Sequence, residues 1–164
     1  MKTRFAAKEN GEQKWKLLDA LIRKYLQAGR MMSVATVFGD QPWIFTAYYV
    51  SDENLNLYWI STPDTRHSKE IYKHKKVAAA IPIKFTDLTV VGMQIEGDAI
   101  LVEARDEIKR VIRLYTDKNN RGEKWHEDFI AGKNEHELYR IKPRLFVLYD
   151  RETFPEDPRK EWIP

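Results

Sequence analysis

At 164 residues, 43% hydrophobic and 32% charged, the chain has the size and make-up of one globular domain with a real core. It has no cysteine, which excludes disulfides, a thiolate nucleophile and any Cys-held metal or iron–sulfur site. The net charge of +3 is mild and well mixed, which argues against a committed nucleic-acid binder and favours an anionic ligand.

Met1 to Gln13 is polar and reads as a frayed end, and Met1 to Lys16 has no signal-peptide apolar region. No apolar run approaches the roughly 20 residues of a membrane span, so the expectation is no membrane partner and a cytoplasmic location. Trp15, Leu18, Leu21, Ile22, Tyr25 and Leu26 recur at helical spacing and predict an amphipathic helix over Trp15 to Ala28, ended by Gly29. Met31 to Phe38 and Trp43 to Val50 read as strands around a turn at Gly39-Asp40-Gln41-Pro42. The third strand starts at Leu55 and runs to the stop at Pro63. After a short helix, Val77 to Ile81 is the fourth.

Pro82 to Asp87 reads as a connection. Leu88 to Val102 is a long strand whose Gly92 and Gly97 imply bulges or a close approach of ligand or backbone. Asp106 to Thr116 is helical, Trp125 to Ala131 a further helical turn. Leu138 to Ile141 and Arg144 to Tyr149 form the closing strand, with Pro143 at a bend or edge. Phe154 to Pro164 reads as an extended tail. With no repeat or linker, residues 1–164 form a single domain. It is mainly β (α+β), an antiparallel barrel of six strands with peripheral helices.

One stretch organises the rest. Pro63 and Asp64 stop the third strand, and Asp64 or Thr65 then caps a helix whose first turn carries Arg66 and His67, with Lys69 one turn in. That turn offers unpaired N–H groups and the positive end of the helix dipole, and Ser61 and Thr62 add hydroxyls, so the stretch suits a phosphate. A solvated helix start with ordinary surface charges is the other reading.

The pattern Ser61-Thr62-x-x-Thr65-Arg66-His67-x-Lys69, helix, Lys75-x-Val77-Ala78-Ala79-x-Ile81 resembles the flavin-phosphate segment of the pyridoxamine 5'-phosphate oxidase-like split-barrel superfamily. The resemblance runs from about Leu17 to Tyr149 and is nearest to small bacterial members without the full oxidase signature. It implies a split barrel, FMN as cofactor, a homodimer with the cofactor cleft at the interface, and a small-molecule substrate or nicotinamide donor. It implies that Thr65-Arg66-His67, with Ser61 and Thr62 after Ile60, holds the FMN phosphate, and that the ring lies along Phe45, Thr46, Ala47 and Tyr48. A family glutamine on the long strand falls at Gly92, a departure. Gln94, two residues on and on the same face, is the substitute.

The family's Arg-x-His substrate clamp is absent from the tail, where Arg159 is a candidate anion contact. This argues against vitamin B6 oxidation itself. Trp162 either covers a flavin edge from the partner or packs on the barrel. No catalytic acid or base can be named. The second reading is a non-catalytic dimer holding haem, a deazaflavin or another ligand, with His67 or a residue of the tail the candidate axial ligand. His126-Glu127-Asp128 and Glu135-His136-Glu137 have no metal-site spacing, so no metal is expected. Lys73-His74-Lys75-Lys76 reads either as a solvated turn or as a phosphate or nucleic-acid contact.

Overall fold

The computed structural model describes residues 2–86 and 89–164, with side chains from residue 12 onward. Helix α1 is Lys2–Ala28, so the backbone of residues 2–13, read as a frayed end, continues the helix. Its Leu18, Ile22 and Leu26 are spaced four apart and buried in one stripe against the sheet.

Strands β1 (Met31–Phe38) and β2 (Gln41–Tyr48) form a hairpin, paired from Met31–Tyr48 to Phe38–Gln41. Its turn is Gly39-Asp40, and Gly39 takes a φ of 68° that favours glycine there. The turn is thus two residues shorter than the sequence indicates. Two-residue β3 (Val50–Ser51) pairs with β4 (Leu57–Ser61). Helix α2 (Arg66–Lys73) follows, and then β5 (Lys76–Thr86), which runs straight through the expected connection at Pro82. The register shifts between Pro82 and Lys84, which accommodates a residue with no N–H to donate.

Strand β6 (Thr89–Leu101) pairs on one side with β5 and on the other with β7 (Glu137–Asp150). Helices α3 (Arg105–Lys118) and α4 (Glu123–Ile130) lie between β6 and β7 in the chain. The tail adds β8 (Arg159–Trp162) on β7. The sheet therefore has eight antiparallel strands rather than six, in the order β2-β1-β5-β6-β7-β4-β3 with β8 also on β7. The two extra strands are short segments, two and four residues long, with little pattern to read.

The main core fills the inside of this curved sheet, built from Met32, Val34, Trp59, Ile81, Ile95, Ile141 and Phe146 with the α1 stripe. A second cluster sits under α3 and α4 around Tyr58, Val111, Ile112 and Phe129. Strand β2 ends the path on one side and two-residue β3, paired to β4, ends it on the other; β2 and β4 pair by no ladder among the described residues. Side chains close the seam instead, with the Phe45 and Trp59 rings 5.8 Å apart. Among the described residues no helix is long and apolar enough to cross a membrane.

Candidate functional site

The seam is where the singled-out stretch comes to rest. Thr65 is the cap of α2, its hydroxyl oxygen accepting from the Ser68 N–H. That hydroxyl donates to the Thr62 carbonyl at 3.1 Å, and the Ser68 hydroxyl reaches the same carbonyl at 2.9 Å. The N–H groups of Arg66 and His67 have no partner among the described residues, as the first turn of a helix dictates.

His67 folds back into the seam. Its ring stacks on Phe45 with centroids 3.7 Å apart and planes 13° apart. Its Nε2 lies 2.7 Å from the Ser61 hydroxyl and 3.1 Å from that of Thr65. Burial lowers its pKa, against the pull of the Glu70 carboxylate, so the ring is neutral near pH 7. It acts here as packing and as a hydrogen-bond partner, not as a cation.

Arg66 carries the positive charge. Its Nε donates to Glu70 Oε1 at 2.7 Å and its guanidinium lies 4.6 Å from the Trp43 ring centroid. Glu70 is buried and also accepts from the Thr36 hydroxyl. Burial raises the Glu70 pKa, but the Thr36 and Arg66 hydrogen bonds outweigh it and hold the carboxyl ionised, below its ordinary range. The terminal nitrogens of Arg66 donate to nothing among the described residues. A guanidinium fixed by Nε and by an aromatic face, with its fork open beside a helix N-terminus, is built to take an anion through two parallel bonds.

The other expected residues are distributed by strand alternation. Phe45 and Ala47 turn inward and pack against the main core, and Ile60 packs against the second cluster. Thr46 and Tyr48 turn outward. There the registers align one row across four strands: Thr46 beside Ser33, Ser33 beside Ala80, Ala80 beside Gln94. The Ser33 and Thr46 hydroxyls are 3.3 Å apart. Small residues keep this outer face concave, leaving a cavity of about 390 Å³ over Ser33, Ala78, Ala80 and Gln94. A neighbouring one of about 450 Å³ reaches Gly92 and Arg159. Lys69 lies apart from the hydroxyl cluster, in a separate cavity beside α2. Trp162 is buried on Phe146, centroids 5.7 Å apart, so the tail packs on the barrel.

The sequence profile described as "Pyridoxamine 5'-phosphate oxidase" matches residues 18–146, most of the chain. The chain belongs to the pyridoxamine 5'-phosphate oxidase family. Among curated relatives, the UPF0306 protein plu4501 of Photorhabdus laumondii is 26% identical over 93 residues. That match takes in 55% of this chain and 65%, just under two thirds, of the relative's own length. Among solved structures, the conserved hypothetical protein Rv2991 of Mycobacterium tuberculosis superposes with a TM-score of 0.72 at 18% identity, over 83% of this chain and 86% of that one. The heme storage protein HutZ of Vibrio cholerae gives 0.60 at 18%, over 77% and 89%. A FAD-binding protein of Mesorhizobium loti (mll6688) gives 0.57 at 18%, over 77% and 90%. At these identities the structural likeness is one of fold.

For a pyridoxamine 5'-phosphate oxidase family member, the residues that sequence reasoning missed are Thr36, Glu70, Trp43, Ser33 and Ala80. Glu70 was findable, four residues after Arg66 on one helix, the spacing of an ion pair. Thr36, Trp43 and the outer row emerge only with the strand register.

Proposed function

We propose that the chain binds FMN and serves as an FMN-dependent oxidoreductase, working as a homodimer on a small-molecule substrate or with a nicotinamide donor. The observation that carries this reading is the open, pre-fixed fork of Arg66 beside the free N–H groups of α2. The donor set fits a flavin phosphate: Arg66, the first-turn amides, and the Ser61 and Thr62 hydroxyls, with Thr65 holding the turn by its own hydrogen bonds. Gln94, Ser33 and Thr46 are the donors and acceptors on the outer face that suit the polar edge of a flavin ring, and Ala78 and Ala80 leave the room. A bound flavin supplies hydride and single-electron transfer. The residues themselves anchor the phosphate. Family membership supports a flavin, and the FAD-binding neighbour shares the fold.

The outer face supports the dimer. Ile44 and Tyr48 stand exposed around the concave row, an apolar surface suited to a second copy. His67 is a poor candidate for haem ligation, because its Nε2 is engaged by two hydroxyls.

Titration with FMN, read by absorption and quenched flavin fluorescence, tests the reading. Uptake of about one FMN per chain is expected, and Arg66→Ala should weaken it by about 1.5–3 kcal/mol, the scale of a charge-assisted hydrogen bond. Unchanged affinity in a folded Arg66→Ala protein would remove Arg66 from the phosphate site. No uptake, or a haem Soret band in place of flavin bands, would overturn the proposal.

A further inference from the structure

The basic run after α2 takes no part in the site above. It borders a cavity of about 710 Å³ between α2, the end of β6 and the start of β7, within the roughly 300–1,000 Å³ of ordinary ligand sites. Its floor is apolar, with Ile71, Ala99 and Tyr139 buried and Ile100 partly open. Its rim is cationic. Lys76 is satisfied by Asp98 and Lys73 lies over the Phe38 ring, but Lys69 and Lys75 pair with no carboxylate among the described residues. The one carboxylate lining the cavity, Glu137, already accepts from the Tyr139 hydroxyl.

Tyr72 completes the arrangement. It lines the same cavity, is 90% exposed, and stacks on no aromatic ring among the described residues. A phenol ring held in water on a short helix is a ready platform for a flat ligand. We infer that this cavity is a second binding site, for a planar aromatic anion: ring on Tyr72 and the apolar floor, charge on Lys69 and Lys75. A neutral ligand would leave those cations unmatched, and a cation would be repelled by them. The inference stands independently of the flavin reading, because Arg66, Ser61 and the outer row do not line this cavity.

Titration of the full chain with 1-anilinonaphthalene-8-sulfonate, an anion with a flat naphthalene ring whose fluorescence rises on desolvation, tests it. The expected result is saturable binding of about one dye per chain. Lys75→Glu and Tyr72→Ala, both at exposed positions, should each weaken it roughly tenfold or more, while Arg66→Ala leaves it unchanged. The neutral analogue N-phenyl-1-naphthylamine should bind weakly and be indifferent to Lys75→Glu. Binding that does not saturate, that survives both variants unchanged, or that Arg66→Ala abolishes would overturn the inference.

Discussion

His67 shows how a residue's chemistry is decided by its neighbours. In the sequence it stands next to Arg66 and looks like a second cation for a phosphate. In the structure it lies on Phe45 between two hydroxyls, with a pKa pushed below its ordinary 6.5 by burial, the Glu70 carboxylate only partly opposing. The linkage has a definite sign. The unfolded chain protonates this ring at about pH 6.5 while the folded chain resists, so its contribution to stability is present above 6.5 and is lost as pH falls toward the lowered native value. His67→Phe keeps the stack and has nothing to titrate. Its melting temperature should fall less than that of the parent between pH 7 and pH 5; parallel curves would show that His67 does not govern this range. Thr65, Arg66 and His67 were legible as a helix start because capping is local chemistry. The Thr36–Glu70–Arg66 chain was not, because Thr36 meets Glu70 only after β1 and α2 have packed.

At the scale of an element, β7 is the strand whose reading most needed the fold. Tyr139, Ile141 and Pro143 are buried, then Phe146, Leu148 and Asp150, so the inward face changes from odd to even positions. The register explains it: Gly97 faces Pro143 while Glu96 faces Leu145, leaving Arg144 as the extra residue of a bulge. The sequence marks the place twice, through Pro143 and through Gly97, but a change of parity cannot be read until the partner strand is known. Gly97 is required by closeness. A Cβ there would lie 2.6 Å from the Lys142 carbonyl oxygen and 2.7 Å from Ile141 Cγ2. Gly97→Ala should cost about 1–3 kcal/mol, the usual range for overpacking, read from urea unfolding. An unchanged midpoint would show that β7 yields without strain. The tail strand β8 escaped detection for the opposite reason, since four residues with one buried side chain carry almost no periodic signal.

At the scale of the molecule, strand order turns scattered residues into a surface. Thr46, Ser33, Ala80 and Gln94 are scattered between positions 33 and 94 and sit side by side on four strands. Hydrophobic alternation predicted that each strand has an outer face; it could not say which outer residues share a row. That face is also the proposed meeting place of two copies. Ile44, 64% exposed at its margin, is the position to charge. Ile44→Glu should turn a dimer into a folded monomer in sedimentation experiments, and a parent protein that already sediments as a monomer would remove the dimer from the proposal.

The seam between β2 and β4 has a consequence for motion. Elsewhere the barrel cannot open without breaking a ladder of backbone hydrogen bonds. Here Phe45, His67 and Trp59 are the fastening, and rings separate without breaking any ladder bond. Local opening therefore starts with β2 swinging on β1 while β5, β6 and β7 hold together. An anion held as proposed by Arg66 and Ser61 would join the two sides of that gap. Such a ligand would be a latch as well as a guest, and the order it conferred would spread from the seam rather than from the core.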